Sequence, residues 1–226
     1  MTDHEAPDAS RLVVGILGGT GHQGRGLARR FALAGNQVII GSRRAGRAQA
    51  AAAQIGRQTG PNVRGLANRD TARAAGVVIA AVPWQGHRDL LSGLAAELAG
   101  KIVVDCVNPI GFGQRGACPL PVAEGSAAQQ AAALLPGSTV VAAFHHVSAV
   151  PLLDPEVDRI DLDVLVLGDD RPATDLVQAL AARIPGVRGI YAGPLRNCGQ
   201  IEALTANLVS INRRYKAHAG LHITDI

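Results

Sequence analysis

The sequence predicts an α/β protein with a doubly wound, mostly parallel sheet and a small C-terminal helical or α+β extension. Three observations predict this fold class. Short, continuous apolar runs such as residues 12–17 and 77–82 have the pattern of strands buried on both faces of a sheet. Segments with helical spacing alternate with these runs along the chain. A glycine cluster, Gly18 to Gly24, separates the first run from the first helical segment.

The first half of the chain is predicted to contain five strands and the helices between them. Apolar runs predict the strands, whereas alanine-rich or 3.6-spaced segments predict the helices, because alanine has the highest helix propensity. Gly35 stops the first helix, and Pro83 stops the fourth strand. In order, the predicted elements are strand 12–17, helix 25–34, strand 38–41, helix 45–55, strand 63–66, strand 77–82, helix 87–99 and strand 102–105.

The second half begins with a Gly- and Pro-rich loop at 106–121, and a loop of that length is more often functional than idle. Asp169 and Asp170 are expected to cap a helix that runs to about residue 184. The other predicted elements are helix 126–135, strand 139–144, strand 164–168, strand 187–191 and a long terminal helix at 199–218.

Composition excludes several classes of protein. Hydrophobic residues make up 47% of the chain and charged residues 18%, which favours a globular domain over a disordered one. No apolar run approaches the roughly 20 residues that a membrane helix needs. Three cysteines without a CxxC pair, and a polar start without a secretory signal, predict a cytoplasmic protein. The net charge of +4 comes from scattered arginines, so no nucleic-acid partner is expected.

The glycine cluster has the context of a dinucleotide-binding turn between a strand and a helix. Its residues are Gly18, Gly19, Thr20, Gly21, His22, Gln23 and Gly24. We expect a tight turn at Gly19, close approach of the backbone to a pyrophosphate at Gly21, and close helix packing at Gly24. A helix that begins near His22 directs its free N–H groups at the phosphates. The sequence therefore predicts a Rossmann-type site.

The end of the second strand predicts which dinucleotide is bound. NAD-specific sites usually carry an Asp or Glu there, which accepts hydrogen bonds from the ribose. This chain instead reads Gly41-Ser42-Arg43-Arg44. Ser42 can donate a hydrogen bond to a 2′-phosphate, and Arg43 can pair with it in a charge-assisted contact. Arg47 reaches the same phosphate from the next helix, so NADP(H) is the predicted cofactor.

An ordered series of motifs extends the pattern beyond the first fifty residues. It comprises Gly18-Gly19-Thr20-Gly21, Gly41-Ser42-Arg43-Arg44, Val82-Pro83-Trp84, Lys101-Ile102-Val103-Val104, Ser126-Ala127-Ala128, His145, Gly168-Asp169-Asp170 and Ala192-Gly193-Pro194-Leu195. In this order the motifs resemble the NADPH-dependent reductases of the deazaflavin coenzyme F420, also called F420H2:NADP oxidoreductases. The likeness extends over nearly the whole chain.

The resemblance implies direct, reversible hydride transfer between NADP(H) and F420. It implies that a Rossmann domain at 11–145, after a flexible leader at 1–10, binds NADP, and that a smaller part at 146–226 closes the F420 cleft. A homodimer is also expected. Such chemistry needs neither a metal nor a nucleophile, because the protein contributes orientation and a dry pocket.

The resemblance also implies roles for individual residues. Thr20, Gly21, His22, Ser42, Arg43 and Arg47 would contact NADP. Val82 and Trp84 would lie near the nicotinamide, His145 would face the F420 ring, and Arg196 would meet its anionic side chain. Gly18, Gly19, Gln23, Gly24, Val107 and Ala143 complete the expected set of cofactor contacts.

Several alternatives stay open at this point. In one alternative, the protein reduces another acceptor, an imine or a flavin. In another, it is a non-catalytic NADP-binding redox sensor. The fold alone does not distinguish these functions. Trp84 either borders the nicotinamide or packs under the next helix. His145 either faces the F420 ring or has a structural role. A basic cluster at Arg213, Arg214 and Lys216 is a solvated face or attracts the F420 tail.

No metal site is expected from the sequence. His145 and His146 are adjacent, and neighbouring residues of a strand point to opposite faces. Cys106 and Cys198 have apolar neighbours and no evident base beside them, so we expect structural roles for both thiols.

Overall fold

A computed structural model describes residues 7–226 of the chain. Ten strands are assigned in this range: β1 (Val13–Leu17), β2 (Gln37–Ser42), β3 (Val63–Ala67), β4 (Val77–Ala80), β5 (Ile102–Asp105), β6 (Ile110–Gly113), β7 (Gly116–Pro119), β8 (Thr139–Ala142), β9 (Leu162–Leu167) and β10 (Val187–Gly193). The helices are α1 (His22–Leu33), α2 (Ala45–Thr59), α3 (Asn68–Ala74), α4 (His87–Ser92), α5 (Ala95–Leu98), α6 (Ala127–Leu134), α7 (Ala149–Leu153), α8 (Arg171–Ala181) and α9 (Cys198–Tyr215), with 3₁₀ turns at Trp84–Gly86 and Leu195–Asn197.

Eight strands form one sheet, in the order β10-β9-β8-β5-β4-β1-β2-β3. The chain starts in the middle with β1, adds β2 and β3 on one side, and then crosses to β4 and β5 on the other. Every neighbouring pair is parallel except β8 and β9, which pair antiparallel at Ala142 and Leu167. This topology confirms the predicted doubly wound, mostly parallel α/β fold.

The hydrophobic core lies on both faces of the sheet. Ile16 belongs to the cluster that includes Phe31 of α1, whereas its neighbour Leu17 belongs to the cluster that includes Leu91 of α4. Successive side chains of a strand point to opposite faces, so a run that is apolar at every position needs helices on both sides. Within residues 7–226, every helix is too short or too polar to span a bilayer.

The structure corrects three expectations about individual elements. The helix expected at 87–99 is a 3₁₀ turn followed by α4 and α5, with Gly93 capping the end of α4. The loop expected at 106–121 contains the antiparallel hairpin β6–β7. Helices α3 and α7 form where no helix was predicted, since both are too short to show a helical period.

The start of the chain is only partly described. Residues 1–6 of the expected flexible leader lie outside the described residues. Ala9, by contrast, is buried, and its carbonyl oxygen accepts a hydrogen bond from Asn36 Nδ2 at 2.8 Å. The end of the expected leader is therefore packed against the domain.

Candidate functional site

The turn between β1 and α1 has the geometry of a phosphate-binding loop, and it needs glycine at position 18 as well as at the expected position 19. Gly18 has a φ of 68°, in the left-handed region that favours glycine. A β carbon at Gly19 would lie 2.8 Å from Ile16 O. Gly19 N–H donates to Gly41 O at 3.0 Å. This bond holds the turn against the end of β2.

The next two glycines bring helix α1 up to this turn and leave space in front of it. A β carbon at Gly24 would lie 2.6 Å from Gly19 Cα, so the helix packs on the turn only because position 24 is glycine. A β carbon at Gly21 would meet nothing closer than Gly18 O at 3.7 Å. Gly21 is the N-cap of α1, and no side chain caps the first N–H groups. These free donors and the open space beside Gly21 fit a pyrophosphate.

A cluster of arginines surrounds the start of α2. Ser42 ends β2, and its Oγ accepts a hydrogen bond from Arg44 N at 3.4 Å, which leaves its own O–H free to donate. Arg43 and Arg47 are exposed, and neither guanidinium has a partner within residues 7–226. The first turn of α2 has no acidic residue. Positive side chains at a helix N-terminus oppose the helix dipole, so this arrangement favours a bound anion.

A cleft of about 390 Å³ opens beside the first turn of α1. Its walls come from four places on the chain: the start of α1, the segment after β4, the segment after β5, and the C-terminal part. The lining residues are Gly21, His22, Gln23, Ala81, Val82, Pro83, Cys106, Val107, Asn108, His145, Val147 and Thr205. Most of these side chains are apolar, which is typical of ligand sites that exclude water.

Six residues expected at the cofactors line this cleft, and the expected residues outside the lining include Ala143, Trp84 and Arg196. The six are Gly21, His22, Gln23, Val82, Val107 and His145. Ala143 is fully buried and therefore not accessible to a cofactor, contrary to the prediction. Trp84 packs on the ring of His87, with centroids 5.5 Å apart, which matches the packing alternative. Arg196 is exposed in the 3₁₀ turn before α9 and lies outside the cleft lining.

His145 borders the cleft through its backbone and not through its ring. Its side chain is fully buried, with Nε2 3.9 Å from both Cys198 Sγ and Glu202 Oε1. Its carbonyl oxygen accepts hydrogen bonds from Asn108 Nδ2 at 2.8 Å and Thr205 Oγ1 at 3.4 Å. Burial lowers the pKa of His145 to about 4, so the ring is neutral at pH 7. The imidazole therefore does not face the cleft, and the structure does not support its expected contact with the F420 ring.

Phe144, the residue before His145, explains the inward direction of that ring. Phe144 is fully buried and has a φ of 64°, which is unusual for an aromatic residue. Its carbonyl oxygen accepts a hydrogen bond from Gln23 Nε2 at 3.4 Å. The chain reverses at this point, and the start of α1 is tied to the end of β8.

A buried carboxylate joins α9 to α6 beneath the cleft. Glu202 accepts hydrogen bonds from Ala127 N at 2.8 Å and Ala128 N at 3.1 Å, which are free donors in the first turn of α6. Cys198 Sγ donates to the same carboxylate at 3.3 Å. Burial raises the pKa values of both Cys198 and Glu202.

The ligand atoms of His145, Cys198 and Glu202 lie within 4.8 Å of one another, as they do in some metal sites. Both carboxylate oxygens, however, already accept backbone N–H groups. Helix N–H groups carry partial positive charge, which disfavours a cation at the same oxygens. We therefore interpret the cluster as a hydrogen-bonded anchor for α9.

A buried ion pair supports the strand end on the other side of the cleft. His87 Nε2 lies 2.6 Å from Asp105 Oδ2, and both side chains are fully buried. Gln130 donates through Nε2 to Glu124, so its Oε1 faces His87 Nδ1 at 3.1 Å. Burial opposes a charge on His87, but the hydrogen bond and charge of Asp105 outweigh it and raise the pKa of His87. Asp105 also accepts from Val107 N, which fixes the cleft wall after β5.

Sequence reasoning missed the polar residues that define the cleft floor. Asn108 lies in the loop that was expected to be functional, but no motif singled it out. Thr205 is in the middle of α9, where a hydroxyl gives no local signal. Cys106 also lines the cleft, and burial raises the pKa of its thiol, so it is not a nucleophile at neutral pH.

Comparison with known proteins places this site in context. The family described as NADP oxidoreductase, coenzyme F420-dependent, matches residues 13–109. An F420-dependent NADP reductase of Methanothermobacter thermautotrophicus is 39% identical, over 95% of this chain and 96% of that protein. The reductase of the same name from Methanocaldococcus jannaschii is 38% identical, over 95% of this chain and 99% of that protein. A crystal structure described as a candidate F420-dependent NADP reductase from Arthrobacter sp. FB24 has a TM-score of 0.81 and 27% identity, covering 95% of this chain and all of that one.

Proposed function

This chain belongs to the F420-dependent NADP oxidoreductase family, and we propose that it transfers a hydride directly and reversibly between NADP(H) and F420 at the cleft beside α1. One observation carries the assignment of the reaction to this cleft. The cleft begins at the uncapped first turn of α1 and is lined by residues from both halves of the chain. The cleft therefore adjoins the phosphate-binding turn and extends beyond that turn.

We assign the binding of NADP to the first half of the chain. The free N–H groups at His22 and Gln23 take the pyrophosphate, and Ser42, Arg43 and Arg47 take the 2′-phosphate. Two unpaired guanidiniums at a helix start favour NADPH over NADH, because NADH has no phosphate to neutralise them. Thr20, Gly24 and the other residues of the turn hold it in shape.

We assign the facing rings to the apolar part of the cleft. When both are bound, the nicotinamide and the deazaflavin supply the hydride donor and acceptor. Val82, Pro83 and Val107 form one wall, and they exclude water. Val147 and Thr205 come from the 146–226 part, which supports a role for that part in closing the F420 side. The carbonyl of His145, held by Asn108 and Thr205, orients this wall.

We also propose a homodimer in the cytoplasm. Phe112 of the β6–β7 hairpin and Tyr215 of α9 are 77% and 72% exposed, and contact with a second copy of the chain would remove their apolar surface from water. All three cysteines are free, as expected in a reducing compartment. Sedimentation at micromolar concentration tests the dimer, and a monomer mass would exclude it.

The proposed reaction is tested by mixing purified protein, NADPH and oxidised F420 and following the visible absorbance of the deazaflavin. We expect rapid loss of that absorbance, and little reaction when a flavin replaces F420. Rapid decay with the flavin alone would assign the protein to a different acceptor. Tight NADPH binding without turnover of either acceptor would indicate a redox sensor.

A further inference from the structure

A second cavity lies at the opposite end of α1 from the nucleotide turn. Its volume is about 150 Å³, roughly that of five water molecules in the liquid. Arg29, Arg30 and Asp158 line it together with the apolar residues Leu33, Val157 and Pro185. None of these residues lines the cofactor cleft. At a rise of 1.5 Å per residue, Arg29 lies about 10 Å along the helix from His22.

Arg29 carries a charge that its surroundings do not satisfy. The residue is only 6% exposed, and its Nε and Nη1 are buried with no hydrogen-bond partner in the described part of the chain. No carboxylate of residues 7–226 lies within ion-pair distance of it. A guanidinium does not lose its proton in a protein, so the charge stays. A buried charge is normally paired, and this one therefore points to a missing partner.

Arg30 does not fill that role, because it is also positive and two of its three nitrogens already donate to backbone carbonyls. Its Nε donates to Leu152 O at 3.1 Å, and its Nη2 donates to Pro151 O and to Asp154 O, the latter at 3.4 Å. Burial and the charge of the adjacent Arg29 lower the pKa of Arg30, whereas the charges of Asp154 and Asp158 act in the opposite direction. These two carboxylates offset the charge of Arg30. The charge of Arg29 has no ion-pair partner in the described residues.

We propose that this cavity binds a small oxyanion of the phosphate, sulfate or carboxylate class through Arg29. The planar fork of a guanidinium matches two oxygens of such an anion. The volume accommodates an anion of that size. The site has no part in the proposed hydride transfer, since it lies outside the cofactor cleft.

The test titrates inorganic phosphate into protein saturated with NADP⁺, so that the nucleotide site is occupied, at constant ionic strength. Phosphate raises the Tm of the wild type by about 2–4 °C, the response expected for about 1 kcal/mol in a chain of this length. Arg29→Gln abolishes the rise, and Arg57→Gln, at an exposed site on α2, retains it.

No Arg29-dependent rise in the wild type would overturn the proposal. If Arg29→Gln does not fold, crystals of the NADP⁺ complex of the wild type, soaked in selenate, give the answer. An anomalous peak within hydrogen-bond distance of Arg29 supports the site. Water density alone in the cavity overturns it.

Discussion

Single residues decide the nucleotide preference in this account, and Arg43 is the most direct case. Its guanidinium is exposed at the end of β2 and has no partner in the described chain. Hydrogen bonds to charged groups contribute about 1.5–3 kcal/mol. We expect Arg43→Gln to raise the Kd of NADPH roughly 10- to 100-fold and to leave the Kd of NADH unchanged.

Fluorescence titration with both nucleotides measures this effect, and Arg57→Gln, at an exposed site on α2, is the control. An equal loss of affinity for NADPH and NADH would contradict a role for Arg43 at the 2′-phosphate. It would indicate damage to the whole nucleotide site.

Gly21 tests the phosphate-binding turn without disturbing the fold. A β carbon at this position meets no protein atom closer than 3.7 Å, and the backbone there is extended. We expect Gly21→Ala to change the free energy of unfolding by no more than about 1 kcal/mol. Affinity for NADPH and NADH should fall together by at least tenfold, because the methyl group occupies the space beside the free N–H groups. Gly56→Ala, on α2 with nothing within 4 Å, is the matched control.

The sequence predicted those parts of the site that depend on local pattern. The glycine turn and Ser42-Arg43-Arg47 follow from short segments whose chemistry is visible in the residues themselves. Asn108, Thr205 and the buried Glu202 were missed, because their roles depend on contacts between distant parts of the chain, from 37 residues apart for Asn108 and His145 to 75 for Ala127 and Glu202. The inward direction of the His145 ring depends on the left-handed Phe144, which no residue pattern predicts.

At the scale of elements, Glu202 connects α9 to the start of α6. Its two oxygens accept two backbone N–H groups and a thiol, and an amide in its place would turn an NH₂ toward one of these donors. We expect Glu202→Gln to lower the free energy of unfolding by about 1–3 kcal/mol. Urea denaturation measures this change, with Glu156→Gln at an exposed site as the control. An unchanged midpoint would show that α9 is held by apolar packing alone.

His146 links the end of β8 to β9 and makes that junction sensitive to acid. Leu165 N–H donates to its Nε2 at 3.2 Å, so protonation would set one N–H against another. Burial lowers the pKa of His146 to about 4, against 6.5 in the unfolded chain. The unfolded state therefore binds the proton first as pH falls from 6.5 to 4. We expect this site alone to remove about 3 kcal/mol of stability over that range.

Gln at position 146 offers an oxygen in place of Nε2 and does not titrate. Urea unfolding at pH 7.5, 6.0 and 5.0 should show a smaller acid-induced loss for His146→Gln than for the wild type. His218→Gln, at an exposed site, should leave the pH profile unchanged. Identical profiles for His146→Gln and wild type would rule out His146 as the source of the effect.

The elements were predictable where burial on both faces of the sheet produced a continuous apolar run. Strands β1, β2, β4 and β5 are of this type. The β6–β7 hairpin is not predictable from the sequence, because its glycines and prolines give no alternating pattern. The antiparallel pairing of β9 with β8 was also invisible, since a fully buried strand has the same composition in either direction.

At the scale of the whole molecule, the 146–226 part is not separate from the Rossmann part. Its strands β9 and β10 continue the same sheet, and its side chains Val147 and Thr205 complete the cleft that begins at α1. The carboxyl ends of parallel strands are where open α/β sheets bind ligands. One rigid sheet therefore carries the groups that we assign to both cofactors, which favours direct transfer between them.

The most direct test of that central claim follows the transferred hydrogen. The protein is given NADPH that carries deuterium at the reactive position of the nicotinamide, together with oxidised F420, and the reduced F420 is analysed by mass spectrometry. Direct transfer predicts that reduced F420 gains one deuterium when one face of the nicotinamide is labelled and none when the other face is labelled. Reduced F420 without deuterium from either labelled form would contradict direct hydride transfer in this cleft.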